Sequence, residues 1–373
     1  MNFAFSEEQE ELRRLARRWL EDKSPSSVVR RLMEGEEGYD PALWKENAAM
    51  GWQAMAIPEQ YGGAGFGFLE QVVLLEEMGR ALYPTPYLST AVMAAKVLLE
   101  AGSDDQKQIY LPALAAGDLI ATVAFTEPNG SWEESGVEST AVESQKGYVL
   151  NGTKSFVLEG HTADMLIIAA RVQRGVSLFI VDGASPGLFR RRLETMDMTR
   201  KLAEVRLDEV EVGPEALVGA VGQGWGAIER MLAQAVVALA AEQVGGAQKC
   251  LDMSVDYAKV RHQFGRPIGS FQAIKHKCAD MLVQVESARS AAYYAAWAAD
   301  EDNEELAQVA PLAKSYCSEA FFFCAAENIQ IHGGIGFTWE HDAHLYFKRA
   351  KSSELLFGDP AYHRAVLAGR LGF

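Results

Sequence analysis

The sequence predicts an α+β protein of several domains, helical at both ends with a β domain between. Three observations carry this. Apolar residues recur at helical spacing over residues 1–118, short β-branched apolar runs bounded by turn residues fill 119–222, and long Ala-rich helical patterns return over 223–373. These ranges are read as an N-terminal α-helical domain, a middle antiparallel β-barrel or sandwich, and a C-terminal four-helix bundle. A chain of 373 residues is long enough for two or three domains with a large core.

In the first range, SEEQEELRRLARRWL carries capping-box spacing at Ser6 and Gln9, with Leu12, Leu15, Trp19 and Leu20 on one face. WKENAAMGW, FLEQVVLLEEMGRAL and YLSTAVMAAKVLLEAG continue the helical pattern, interrupted by the Pro/Gly-rich loop PEQYGGAGFG. The texture changes near Leu119. LIATVAF is β-branched, MLIIAA and VSLFIVDG are short buried-strand runs, and AEVRLDEVEVG alternates as a half-solvated strand does. Asn151-Gly152 in YVLNGTK is the signal of a tight hairpin. After Gly222-Gln223-Gly224, the stretch from Trp225 to Val260 supports one or two buried helices, and the Ala-rich pattern that follows suits close helix contact.

Composition narrows the function. A hydrophobic share of 49% and a charged share of 23% are ordinary for a globular protein. A formal net charge of -16 argues against nucleic acid as a partner, which needs basic faces, yet leaves room for a small anionic ligand. Cys250, Cys278, Cys317 and Cys324 show no CxxC and no His at metal spacing, so reduced buried thiols and no metal site are expected. The start, MNFAFSEEQEELRR, is acidic where a signal peptide is basic, and no run reaches the roughly 18 apolar residues of a membrane span. A cytoplasmic location is the expectation.

Three stretches look unlike plain core. Phe125-Thr126-Glu127-Pro128-Asn129-Gly130-Ser131 follows a strand and offers backbone N–H groups and a Thr hydroxyl to a ligand, though an ordinary β-turn reads the same way. In Arg261-His262-Gln263-Phe264-Gly265 and on to Gln272, an Arg at a helix end with an aromatic beyond it suits a pyrophosphate and a planar ring. A solvated helix terminus fits equally. Gln330-Ile331-His332-Gly333-Gly334-Ile335-Gly336 ends another helix with two glycines that permit close backbone approach, and His332 reads as a packed histidine.

In this order and spacing, TEP after a strand, R-x-x-F-G and Q-x-x-G-G-x-G resemble the acyl-CoA dehydrogenase family. IPEQYGGAGFG, LNGTKSFVLEG, VGQGWGAI and RAKSSELLFGDPAYHR extend the resemblance over most of the chain. It implies FAD held between the β domain and the C-terminal bundle, completed by a neighbouring subunit. Phe125 and Thr126 would lie along the flavin ring, with Ser131 in the loop beyond, and Phe156 would shield the ring's face. Arg261, Phe264, Gln272, Gln330, Gly333 and Gly334 would reach across to the ADP half of a flavin held by the partner subunit. The implied reaction removes two hydrogens from an acyl-CoA, a carboxylate taking the α-proton and electrons passing on to an electron-transfer flavoprotein.

The resemblance breaks at the base. Its usual pattern of Tyr-Glu-Gly-Thr stands here as Leu356-Phe357-Gly358-Asp359, so Phe357 falls on the Glu position. The alternative seat on the first long helix of the bundle is Ala235. Leu158 replaces a Thr that hydrogen-bonds flavin N5, and NGSWEES departs from the usual G-A-G-S-D loop. These changes imply a subunit of a heterodimer or heterotetramer, similar to two-gene enzymes acting on steroid side-chain or other bulky acyl-CoAs. A homo-oligomeric enzyme with a base relocated to Glu242 or Asp359, and a flavoprotein of other chemistry, are the alternatives. Asp359 also reads as a turn-former before Pro360, and Glu242 as a satisfied buried carboxylate.

Overall fold

The structure, a computed structural model, describes residues 6–301 and 303–373. Helices α1 (Glu7–Lys23), α2 (Ser26–Glu34), α3 (Pro41–Ala49), α4 (Phe68–Arg80), α5 (Ala95–Ala101) and α6 (Asp104–Ala115) come first. Strands follow: β1 (Ala121–Ala124), β2 (Thr140–Ser144), β3 (Gly147–Leu158), β4 (Met165–Val172), β5 (Gly175–Asp182), β6 (Leu188–Arg192), β7 (Leu202–Val212) and β8 (Leu217–Val218). Then come α7 (Trp225–Val260), the hairpin β9 (His262–Gln263) and β10 (Arg266–Pro267), α8 (Gln272–Asp300), α9 (Leu306–His332), α10 (Ala343–Leu355) and α11 (Pro360–Arg370). The described residues pack as two compact units. One holds residues up to Arg31, Phe68–Tyr83 and Val236–Phe373; the other holds Leu32–Gly67 and Pro84–Ala235.

The second unit is built on a sheet of order β6-β7-β3-β2-β4-β5-β8, with β1 added on β4. Pairing is mostly antiparallel, as expected, but β1 and β2 both run parallel to β4. The Asn151-Gly152 expectation is corrected. The chain does not turn there: both residues lie inside β3, where the register to β7 shifts between Leu150 and Gly152, and the hairpin closes instead between Ser144 and Gly147. Gly152 takes φ of 145°, and a Cβ on it would meet the Ser139 hydroxyl at 2.2 Å, so the glycine serves a bulge rather than a turn. Inside the sheet Glu127 and Lys154 form a buried pair at 2.5 Å. Burial pushes the Lys154 ammonium down to about 8 despite its partner.

In the helical unit, Ser6 caps α1 as the spacing predicted: its hydroxyl accepts the Gln9 N–H at 3.2 Å, and Gln9 Oε1 accepts the Ser6 N–H at 3.0 Å. Arg17 on α1 grips Glu77 on α4 with two hydrogen bonds, 2.9 and 2.7 Å. Helix α7 is one continuous helix rather than two. It lies so close to α4 that a Cβ on Gly245 would stand 1.8 Å from the Glu76 carbonyl, and one on Gly79 would stand 2.1 Å from the Glu242 carbonyl. Small residues here permit a contact that no larger side chain allows.

The turn between α10 and α11 is held from beneath. Lys314 on α9 has no exposed surface, and the three N–H groups of its ammonium are shared among the carbonyls of Ser353, Glu354 and Gly358 at 3.0, 3.0 and 3.1 Å and the Ser318 hydroxyl at 3.0 Å. From the other side, His363 Nε2 donates to the Phe357 carbonyl at 3.0 Å. These bonds hold Phe357 at φ of 61° and Gly358 at φ of 101°. For a phenylalanine that left-handed conformation costs about 1 kcal/mol, which the hydrogen bonds offset.

Two outcomes follow from this packing. Gly245→Ala forces α4 and α7 apart and is expected to destabilise the helical unit by several kcal/mol, about 3 or more, read as a fall in the denaturation midpoint. A midpoint unchanged from wild type would contradict the close crossing. The second concerns pH. Burial, with the nearby Lys314 charge, pushes His363 down to about 4, against an ordinary value near 6.5. Above pH 6.5 the ring is neutral folded and unfolded, and stability is whole. Between 6.5 and 4 only the unfolded chain takes the proton, so stability falls as pH falls, by about 3 kcal/mol across that window. The denaturation gap between wild type and His363→Gln should therefore narrow by about 2 kcal/mol from pH 7.5 to pH 5; an unchanged gap overturns the assignment.

Candidate functional site

In the β unit, β1 runs out into Phe125 and Thr126, both buried. The Thr126 hydroxyl donates to the Ser155 carbonyl at 2.6 Å, and the Ser155 N–H returns to the Thr126 carbonyl at 2.9 Å. The proton of this hydroxyl thus ties the end of β1 to β3, and its lone pairs are what it can offer a ligand. Glu127, the acid of TEP, accepts the backbone N–H groups of Glu138 and Ser139 beside its pair with Lys154. Burial raises its pKa, but Lys154 and these donors together hold its carboxyl below the ordinary range.

The loop beyond TEP is closed on itself. The Gly130 N–H goes to the Glu127 carbonyl, Ser131 N–H to Asn129 Oδ1, Glu133 N–H to Ser131 Oγ, and Gly136 N–H to the Glu133 carbonyl. The Asn129 amide donates to the Gly136 carbonyl at 2.8 Å and fastens the ends together. Trp132 at its crest puts its ring 6.0 Å from that of Phe125. A loop that cradles phosphate oxygens leaves its N–H groups unengaged; here these four are engaged. Nearby on β3, Phe156 is half exposed at φ of 56°, while Leu158 is buried and offers only its carbonyl, taken by the Thr122 hydroxyl.

In the helical unit the elements singled out for an ADP group stand open. Arg261 follows α7, and the tight hairpin turn places Phe264 at φ of 53° and Gly265 at φ of 77°. Phe264 is 91% exposed, meeting Phe271 edge-on at 6.2 Å, and the Arg266 guanidinium covers Phe271 at 4.1 Å. Gln272 opens α8 and is exposed. At the end of α9, Gln330, Gly333 and Gly334 are exposed, and a Cβ on either glycine would meet nothing within 4 Å. Nothing in the chain itself crowds Gly334, whose backbone is not left-handed. His332 is packed: its Nδ1 donates to the Asn328 carbonyl at 2.8 Å, its ring stacks on Tyr257, and burial lowers its pKa.

Neither familiar seat of the base holds a carboxylate. Phe357 is 4% exposed and Ala235 is fully buried. Asp359 points elsewhere: it caps α11, its Oδ1 accepting the Tyr362 N–H at 2.8 Å, and it is exposed. Glu242 is buried on α7. Sequence reasoning missed Lys314, His363 and Trp132. The first had a signal, a lysine inside the apolar run APLAKSYCSEAFFFCAA; the other two had none, because only the fold brings them to Phe357 and Phe125. Among the described residues no group of three or more His, Cys, Asp or Glu could hold a metal ion, and no helix is long and apolar enough to cross a membrane.

Comparison with known proteins agrees with this architecture. The chain matches the acyl-CoA dehydrogenase N-terminal domain over residues 6–118, the middle domain over 122–210 and the C-terminal domain over 222–372. It is 38% identical to acyl-CoA dehydrogenase IpdE2 of Mycolicibacterium smegmatis over 356 residues, 95% of this chain and 96% of that protein. Butyryl-CoA dehydrogenase from Megasphaera elsdenii superimposes with a TM-score of 0.93 at 28% identity, covering 100% of both chains. The ChsE4-ChsE5 complex from Mycobacterium tuberculosis matches at a TM-score of 0.92 and 29% identity, over 100% of this chain and 99% of that one. With an N-terminal helical domain, a middle β domain and a C-terminal helical domain all matched, the chain belongs to the acyl-CoA dehydrogenase family, oxidoreductases that act on CH–CH groups.

Proposed function

We propose that this chain is the subunit without a base in a heteromeric, FAD-dependent acyl-CoA dehydrogenase. A homologous partner supplies the carboxylate and holds the isoalloxazine; this chain lends Arg261, Phe264, Gln272, Gln330, Gly333 and Gly334 to the ADP half. The observation that carries the reading is Phe357, an apolar ring buried at the base position in a turn whose backbone is locked. Dehydrogenation needs a proton acceptor at the α-carbon, and a phenyl ring has no lone pair to offer. FAD, when bound, supplies the hydride acceptor for the β-carbon.

The residues of the two units fit that cofactor differently. The loop from Asn129 to Gly136 suits a pyrophosphate poorly, since four of its backbone donors are already engaged and the Trp132 ring lies 6.0 Å from that of Phe125. Arg261 and the open glycines Gly333 and Gly334 do suit one, because they present charge and unobstructed backbone to the outside. Such division of labour supports a heteromer, and a two-protein complex is among the similar solved structures. A bulky acyl-CoA, such as one with a steroid side chain, is the proposed substrate, with an electron-transfer flavoprotein as electron acceptor and the cytoplasm as location. A second reading rests on Glu242, buried on α7 two turns beyond Ala235, acting as base in a self-sufficient enzyme.

Purified alone, the chain is expected to carry well under one FAD per subunit and to oxidise no acyl-CoA; co-expression with its homologous partner restores both. Stoichiometric flavin with activity that Glu242→Gln abolishes would establish the second reading instead. Within the heteromer, Arg261→Ala should weaken FAD binding by about tenfold or more, the scale of one charge-assisted hydrogen bond. Phe357→Leu should leave kcat within about twofold, because this position carries no proton. A Phe357→Leu enzyme slowed by orders of magnitude would refute that assignment.

A further inference from the structure

The end of α7 and the start of α8 form the walls of an open groove of about 480 Å³. Its lining is mostly apolar: Val255 and Ala258 come from α7, Pro267 from β10 and Ile274 from α8. Backbone contacts set its width. The Ile268 N–H donates to the Arg261 carbonyl at 2.8 Å, and a Cβ on Gly269 would stand 2.9 Å from the Ala258 carbonyl.

The charges around this groove are of one sign. Lys259 on α7 and Lys275 on α8 line it, and no carboxylate does. From Tyr257 to Ala279 the sequence carries Lys259, Arg261, Arg266, Lys275 and Lys277 but no Asp or Glu, within a chain of net charge -16. Lys277 is taken by Glu327, and Lys259 has Asp256 at 3.5 Å, a pair that stands largely in water. The Lys275 ammonium is exposed and makes no hydrogen bond or ion pair among the described residues. Asp280, five residues further on, faces about 140° away round α8. An apolar groove rimmed by cations and free of carboxylates suits a ligand with an apolar body and an anionic end.

We propose that this groove binds an amphiphilic anion, a medium-length straight acyl chain ending in a carboxylate. The chain lies along Val255, Ala258, Pro267 and Ile274, and the carboxylate stays at the rim with Lys259 and Lys275. Burial of the chain supplies most of the affinity, because charge pairs between exposed groups contribute little. The lysines decide the sign of the headgroup: a cationic end would meet two ammonium groups and no carboxylate in the lining. The groove's volume also lies within the roughly 300–1,000 Å³ of small-molecule sites. The site is independent of the heteromer reading and stands or falls without it.

Cys278 gives the groove its own reporter, since it lines the groove and is half-buried while Cys250, Cys317 and Cys324 are buried. Burial pushes its thiol up, so labelling of the full chain with N-ethylmaleimide is run at about pH 8.5. Sodium decanoate is expected to bind with a Kd of about 0.1 mM by calorimetry. At ten times that concentration it should slow Cys278 labelling about tenfold, read by peptide mass spectrometry. Decyltrimethylammonium, the same chain with the opposite charge, should protect Cys278 at least about tenfold less effectively. Lys259→Gln combined with Lys275→Gln, both at exposed positions, should weaken decanoate by about tenfold, the scale of two surface charge pairs. Decanoate binding that leaves Cys278 labelling unchanged, equal protection by the cationic amphiphile, full binding to the double variant, or no saturation below about 2 mM each overturns the proposal.

Discussion

A buried lysine governs the part of this protein where chemistry is expected. Lys314 has no exposed surface, and an ammonium in that position is tolerated only if oxygen atoms replace its water. The last turn of α10 supplies two of them as backbone carbonyls, Ser353 and Glu354, and Gly358 in the turn to α11 supplies a third. Because the ligands are backbone, the arrangement does not depend on which side chains the turn carries. Residue 357 is thus presented inward by a frame indifferent to its identity, and the frame persists although the residue is phenylalanine. Through Ser318 the same lysine also reaches Gln243 on α7, so the turn and the long helix share one polar connection.

Three of the six non-glycine residues at left-handed φ fall among the candidate site positions. The non-glycine residues at left-handed φ include Phe156, Phe264 and Phe357, each independently chosen from the sequence as a site position. Such conformations persist only where surrounding bonds over-determine them, and they concentrate where a fold must aim a side chain. Their solvent exposures differ: Phe264 projects into solvent, Phe156 is half exposed, and Phe357 is sealed in. An exposed aromatic on a tight hairpin serves something outside the chain, whereas a sealed one fills a space.

The two groups of candidate residues therefore differ in where their polar groups find partners. Around Phe125 the polar groups are satisfied within the chain: Thr126 with Ser155, Glu127 with Lys154, and the Asn129–Gly136 loop with itself. Around Arg261 and Gly333 they are open. Internal satisfaction favours stability, and openness favours binding.

Most of the architecture was legible in the sequence, because it rests on local rules. Helical and alternating periodicities marked the three domains, Ser6 and Gln9 marked the start of α1, and the glycines marked the open end of α9. That Phe357 and Ala235 carry no carboxylate was equally visible, since it is a matter of composition. What lay beyond the sequence depended on distant partners. Asn151-Gly152 signals a turn when judged by its neighbours alone, yet pairing with β7 imposed a bulge. The engaged hydroxyl of Thr126, the ring of Trp132 against Phe125, and the grip of Lys314 and His363 on the turn each join residues far apart along the chain or across a folded loop. Periodicity and propensity report the preferences of adjacent residues; which oxygen meets which proton is decided only when tertiary packing brings them within hydrogen-bond reach.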